Sequence, residues 1–516
     1  MSSAPSKAAS SQASDPRERL AGELRAARAP GDPARLGTKL AVRDRLALLL
    51  DAGSFCEDGV LASASDERLR ADGVLTGTGS IDGRQVAVIA HDPSVKAGSW
   101  GRRTVEKQIR ILELADRDLL PVVFLVDSAG GRLTDALGFH PGPRGAARIF
   151  HLQVRLSGRV PQVCCLFGPS AAGGAYMPAF CDWVGMVEGN ASMFLASPRI
   201  AAKATGEIST LDEMGGARMH CTVSGCGDAL FTDDAAAIAG ARDFLGYLPS
   251  HYDERPRRDA PEQPESTDWD GVLPASHRSA YDIHDVISRV VDAGSLLEIK
   301  SLWAAEMLVG FARIDGRAVG LVANQPKVRG GAIHVDSADK AARFIALCDA
   351  FNLPLIFLAD LPGFMIGSRV ERAGIIRHGA KMIAAMSSAE VPRFCVVLRK
   401  AYAAGYYAMS SPGFAPRATI ALAGAQIGAM AAEAAVNAVW SNKIEELEDE
   451  QEREAFVSER RGKIDEELDA IRVASELMIE AVVDPADLRA ELCARLAAAD
   501  GWRRSTPSRH HGAFPV

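Results

Sequence analysis

The strongest constraint on what this chain can fold into is that it repeats itself. The stretch "SIDGRQVAVIAHDP", Ser80 to Pro93, returns as "RIDGRAVGLVANQP", Arg313 to Pro326, so that Asp82 matches Asp315 at an offset of 233. At the same offset Glu106-Lys107 faces Asp339-Lys340, and "LPVVFLVDSAG", Leu120 to Gly130, faces "LPLIFLADLPG", Leu353 to Gly363. Val160-Pro161 then meets Val391-Pro392 at 231, and upstream "DAGSFCE" from Asp51 resembles "DAGSLLE" from Asp292 at 241. An offset held within two residues from Asp82 to Val160 is a tandem duplication of one fold.

A chain of 516 residues is also too long for one core. The stretch "SHYDERPRRDAPEQPESTDWDGVLPASH", Ser250 to His277, is rich in proline, charge and turn residues and reads as the joint. The expected division is a disordered Ser/Ala-rich N-terminus over 1–14, a first domain over 15–255, a linker over 256–274, a second domain over 275–503, and a tail over 504–516. Within each half, short continuous apolar runs such as "RQVAVIA", "PVVFLVD" and "PQVCCLF" alternate with the amphipathic stretches "RRTVEKQIRILELADRD" and "DSADKAARFIALCDAFN". That alternation predicts an α/β class with a buried, largely parallel sheet. From Ile444 to Ala499 the chain reads instead as a charged helical arm, broken at "DPADLR". A small-residue-rich helix is expected over Gly424 to Val439.

Composition closes off several classes. A net charge of −8 with no basic stripe argues against nucleic-acid binding. No apolar run reaches membrane-span length, and the N-terminus lacks the apolar core of a secretory signal, so a cytoplasmic location is expected. None of the nine cysteines forms a C-x-x-C pair, so no metal is expected in the chain, and Cys164, Cys165 and Cys395, in strand-like apolar runs, read as small buried hydrophobes in a reducing compartment.

The chemistry-bearing candidates are two matching turns. "GPSAAGGAYMP", Gly168 to Pro178, leaves an apolar strand through Ala172, Gly173 and Gly174. "RKAYAAGYYAM", Arg399 to Met409, does so through Ala403, Ala404 and Gly405. A strand that passes through Ala and Gly into a helix bares several backbone N–H groups, and the helix end adds positive potential. Close helix–strand packing also wants small residues and is the better account of one such turn. Two copies at equivalent places suit a reaction in which two separate oxygens gain negative charge. A serine nucleophile on Ser170 fails, because G-x-S-x-G requires Gly where Ala172 stands and Ala401 takes the place of Ser170 in the second half. No P-loop and no H-E-x-x-H pattern occurs.

Together "GPSAAGGAYMPA", "KATGEISTLDEMGGARMH", "VANQPKVRGGAIHVDSADKAARF", "DLPGFMIG", "RKAYAAGYYAMSS" and "VVDPADLR" resemble the carboxyltransferase (beta) subunit of biotin-dependent acyl-CoA carboxylases, from about Arg17 onward. The resemblance implies two crotonase-like domains of ββα superhelix. It implies carboxybiotin on a partner chain as cofactor and a CoA thioester as substrate. Carboxybiotin would release carbon dioxide, biotin itself would take the acyl proton, and the carbanion would attack the carbon dioxide. Carried over by motif, Ala172, Gly173 and Gly174 form an oxyanion hole for the thioester, and Ala404 and Gly405 one for biotin, with Tyr406 also on the biotin side. Tyr176, Tyr407, Gly330 and Gly331 fall where the family contacts substrate. Tyr407 fits pocket lining and core equally well. Ser170 stands where Cys is common, and Ala403 where Gly is usual; an alanine at 403 requires the backbone to keep φ negative.

The resemblance also implies partners: a biotin carboxylase and biotin carrier (alpha) subunit, and a homo-oligomer, a hexamer in related chains, whose sites lie between the N-domain of one protomer and the C-domain of another. The carrier's A-M-K-M signature is absent, the nearest string being "AKMIAAM" from Ala380. The acyl group is left open, since "AAGGAYMPA" and "GFMIG" look like methylcrotonyl- or geranyl-CoA enzymes and "GGAIHVDSADKAARF" like propionyl-type ones. An acyl-CoA decarboxylase subunit and a non-catalytic scaffold paralogue are the rival readings.

Overall fold

The computed structural model describes residues 15–29, 32–504 and 512–514. The expected disordered N-terminus and most of the tail lie outside the described residues. The duplication is visible as two eight-stranded sheets. In the first, β1 (Cys56–Asp58), β2 (Val74–Ile81), β3 (Arg84–His91), β4 (Val122–Ser128), β5 (Gln162–Ala171), β6 (Trp183–Val187) and β8 (Ala229–Phe231) follow in order, with β7 (Ser192–Phe194) against the end of β5. The second repeats it with β9 (Leu297–Ile299), β10 (Met307–Ile314), β11 (Arg317–Asn324), β12 (Leu355–Leu361), β13 (Arg393–Tyr402), β14 (Ala418–Leu422) and β16 (Ala481–Val483), and β15 (Gln426–Gly428) against β13. The first two pairings in each sheet are antiparallel and the remainder parallel. The parallel strands are buried on both faces, which is why their sequences run apolar without alternation.

Backbone strain repeats along with the strands. Ala71 and Ala304, Asp82 and Asp315, Lys96 and Arg329, and Leu119 and Asn352 are non-glycine residues with φ between +45° and +62°, each pair 233 apart. Two of the matching motifs earn their recurrence at these corners. The carboxylate of Asp51 accepts from the N–H groups of Asp82 (3.0 Å) and Gly83 (2.9 Å), and that of Asp292 from Asp315 (2.9 Å) and Gly316 (2.7 Å). Lys107 is buried and donates to the Ala71 carbonyl at 3.0 Å, while Lys340 donates to Lys300 (2.9 Å) and Trp303 (2.8 Å). Burial pushes both ammonium groups down to about 8.

The helices Arg102–Asp118 and Val335–Ala350 cover equivalent faces of the two sheets. Residues 248–282 carry neither helix nor strand, and the halves join instead through a run of rings. Trp183 lies 5.8 Å from Phe244, Phe244 5.6 Å from Phe311 on β10, and Phe311 5.1 Å from Phe344. One hydrophobic cluster therefore spans both halves.

Two regions differ from the sequence expectation. The Gly424–Ala431 part of the expected small-residue helix is β15 and a turn, and the helix begins at Ala432. The charged arm breaks into the helices Glu450–Leu468 and Ala470–Ser475, adds β16, and resumes after the expected break as the helix Leu488–Ala499. The apolar triplet Ala481–Val483 completes the sheet edge beside β14, a pairing that local charge pattern does not reveal.

Candidate active site

The two Ala/Gly turns occupy the same place in the two sheets, at the C-terminal ends of β5 and β13. Each opens on an alanine in the left-handed region, Ala172 at φ +54° and Ala403 at +55°. This corrects the expectation of a negative φ at Ala403. A strand can pass abruptly into a helical turn through one left-handed residue, and the β-carbon costs about 1–2 kcal/mol there. Exposure repeats too: Ala172 and Gly173 are exposed and Gly174 is buried, just as Ala403 and Ala404 are exposed and Gly405 is buried. The helical turns that follow are short, Ala172–Ala175 then Tyr176–Ala179, and Ala403–Ala408. The turns thus bare a few individual N–H donors rather than the end of a long helix.

Packing accounts for only part of the small-residue pattern. A β-carbon on Gly405 would come within 2.7 Å of Gly363 Cα, so that glycine is needed for close approach. On Gly173 it would meet nothing nearer than Phe150 at 4.0 Å. The protein does not need glycine at 173 for its own packing, and the space where a side chain would stand is open. Ser170 is buried and its hydroxyl donates to the Gly174 carbonyl at 2.9 Å, an internal brace rather than a nucleophile.

A second pair of donors faces these turns, and it escaped the sequence reading. Trp100 bridges the chain after β4: its N–H donates to the Gly130 carbonyl and its carbonyl accepts from the Arg132 N–H, both at 2.8 Å. Gly131, between those two, turns its own N–H the other way, toward the end of β5, as ladder geometry requires. That N–H has no acceptor among the described residues. In the second half Ile333 bridges Gly363 and Met365 in the same manner, leaving the Phe364 N–H without an acceptor among the described residues. The clue was in the repeat, which matched "DSAG" with "DLPG" and stopped one residue short of these positions.

Gly173, Gly174 and Gly131 open on a cavity of about 660 Å³. Its walls include Trp100, Phe139, Phe150, Phe194 and Leu195, so it is largely apolar around a few backbone donors. Tyr176 and Tyr407 are equivalent and about half exposed, at 46% and 52%. Tyr407 is therefore no core residue of this chain, whereas Tyr406 is buried with its ring in the core and offers a ligand only its backbone. Gly330 and Gly331, at φ +65° and +72°, lie in the loop after β11. A β-carbon on Gly331 would come 2.7 Å from the Asp360 carbonyl, and one on Gly98, its counterpart, 2.1 Å from that of Asp127. Those two carboxylates are buried and doubly paired, Asp360 with Arg399 (2.7 Å) and Lys400 (3.0 Å), Asp127 with Lys39 (2.8 Å) and Arg45 (3.4 Å). The ion pairs brace the strand ends that carry the donor loops.

A model of the carboxyl transferase domain matches residues 35–514. The chain belongs to that family. This carboxyltransferase is 54% identical over 93% of its length to an uncharacterized carboxylase of Bacillus subtilis, covering 94% of that relative. It is 37% identical to the methylmalonyl-CoA carboxyltransferase 12S subunit of Propionibacterium freudenreichii, with 92% of each chain covered. It superposes with a TM-score of 0.91 and 36% identity on a transcarboxylase 12S crystal structure, described as a hexamer with methylmalonyl-coenzyme A and methylmalonic acid bound, over 98% of this chain and 99% of that one. The duplicated crotonase-like α/β fold expected from the motifs is the fold of this carboxyltransferase.

Proposed function

We propose that this carboxyltransferase is the subunit of a cytoplasmic biotin-dependent acyl-CoA carboxylase that moves a carboxyl group from carboxybiotin, held on a partner carrier chain, to an acyl-CoA. The observation that carries the reading is the exposed Gly173 on the cavity wall. A side chain there would meet only open space, and the same cavity is lined by Gly131, whose N–H has no acceptor among the described residues. Donors held in a largely apolar cavity stabilise an oxygen that gains charge, at about 10²–10³ in rate each. On this reading Ala172, Gly173, Gly174 and Gly131 bind the thioester oxygen, and the apolar walls hold the thioester arm and exclude water.

The second cradle fits the neutral ureido group of biotin. Ala404 and Gly405, with Phe364 opposite, offer backbone donors and no charge, and the half-exposed Tyr407 stands beside them. A carboxybiotin bound there would supply the carboxyl group, and its ureido group would accept the proton released by the acyl-CoA. The chain's part is to orient the ureido oxygen and to stabilise charge on it, which leaves no role for a His/Asp base of its own.

Apolar side chains exposed around both cradles, Leu133 and Ile200 near the first and Ile366 and Ile376 near the second, support assembly into a homo-oligomer that covers them. A hexamer served by a biotin carboxylase and carrier (alpha) subunit is the assembly proposed.

The test is ATP- and bicarbonate-dependent carboxylation of short acyl-CoAs by the chain with its co-purifying biotinylated partner. Gly173→Val should keep fold and oligomer size and lose about 10²–10³ in turnover. Near-normal turnover in that variant would remove Gly173 from the site. A membrane decarboxylase subunit as the co-purifying partner would favour the decarboxylase direction, and assembly without any carboxyl transfer would favour a scaffold.

A further inference from the structure

Trp100 is 3% exposed, yet it forms part of the cavity wall beside the first cradle. The edge of its ring, Cζ2, lies 3.7 Å from where a Gly174 β-carbon would stand. Its indole N–H donates to Nε2 of His91 at 3.0 Å, and the two rings lie nearly parallel, 10° apart in plane. An indole nitrogen can only donate, so Nε2 of His91 must be an acceptor and its ring neutral. His91 is fully buried, and burial holds its pKa down at about 4, which keeps that acceptor in place at neutral pH.

The second half is an internal control. The counterparts of His91 and Trp100 at the offset of 233 are Asn324 and Ile333. Ile333 makes the same backbone bridge as Trp100, so that bridge does not call for an indole. Asn324 spends its side chain on backbone, donating to the Gly331 carbonyl at 3.0 Å and accepting from the Asp360 N–H at 3.2 Å. At this position the first half alone places a large ring and gives it a side-chain acceptor. The extra ring therefore answers to what the first half binds.

We infer that Trp100 is a specificity-determining wall that limits how long an acyl group the first cradle accepts, and that His91 is the positioning residue holding it there. The inference rests on reading the cavity as the acyl-CoA site. A smaller residue opens depth behind the cradle, and each added methylene in a pocket discriminates by roughly 10–200-fold.

The test compares binding of butanoyl-CoA and decanoyl-CoA by calorimetry, alongside carboxylation of both, in the full-length protein. Trp100→Leu should shift the decanoyl-to-butanoyl preference by about 10-fold or more toward the longer chain. His91→Leu should shift it in the same direction, and His91→Gln, which keeps an acceptor, should restore the wild-type ratio. If Trp100→Leu does not fold, Trp100→Phe and the His91 pair carry the comparison. An unchanged ratio with both ligands weakened alike would overturn the inference and leave Trp100 a structural ring. Failure of the wild-type protein to bind either thioester would overturn it together with the cavity reading. Binding with the expected shift but no carboxyl transfer would sustain this inference and sink the proposed function.

Discussion

Ala172 and Ala403 hold the left-handed corner without the residue best suited to it. Glycine at 403 would relieve about 1–2 kcal/mol of β-carbon strain and cost about 0.4–1 kcal/mol in unfolded-chain entropy. Ala403→Gly should therefore raise stability by about 0.5–1 kcal/mol, read as a higher denaturant midpoint at unchanged slope. A lower midpoint would mean that the methyl group, 3.9 Å from the position of a Gly363 β-carbon, contributes packing that outweighs the strain. At this scale the sequence located the two turns but misjudged the backbone at 403. The positions of Ala172 to Gly174 and of Ala404 and Gly405 follow from small residues after an apolar strand. The sign of φ at 403 does not, because it depends on how sharply the strand must turn to meet the loop at Gly363. Nor could local pattern separate Tyr406 from Tyr407. They are identical neighbours, and only the direction of one helical turn sends the first into the core and the second outward.

Among elements, the matched lysines show what duplication preserves. Lys340 ties the helix Val335–Ala350 to the corner between β9 and β10 through the carbonyls of Lys300 and Trp303, as Lys107 ties Arg102–Asp118 to the Ala71 corner. Lys340→Met would leave the Trp303 carbonyl without its donor, while the Lys300 carbonyl keeps the Trp303 N–H, and should lower stability by about 1–3 kcal/mol at neutral pH. The lysine also carries a pH signature. Its folded value near 8 lies below the ordinary lysine value of 10.5, so the unfolded chain binds more protons between them. Its contribution to stability must then rise with pH from about 8 to 10.5. The stability difference between wild type and Lys340→Met, measured across that range, should grow with pH; a flat difference would mean the ammonium is not desolvated. The repeat exposed these lysines as a pair and left their role blank, since the carbonyls they serve lie some 36 to 40 residues away along the chain. Helices were legible where amphipathic, and the strand Ala481–Val483 was not, because three apolar residues take their structure from β14.

For the whole molecule, the duplication read from the sequence gave two halves, and the rings of Phe244, Phe311 and Phe344 pack them against each other. Unfolding should show a single transition, and Phe244→Ala, which costs about 3–5 kcal/mol, should lower both halves together. Two resolved transitions in calorimetry, with only the first displaced, would show that the shared cluster is not an energetic link. The link across the joint was invisible beforehand, since a linker rich in charge and proline suggests independent domains. The same cluster bears on how the protein is made. During synthesis the first half is complete before Phe311 and Phe344 exist, and about 100 further residues at roughly 5–20 per second take some 5–20 s. Through that interval the nascent chain presents Phe244 without its partners, so chaperone crosslinking to stalled ribosomes should peak after residue 250 and fade once residue 350 has emerged.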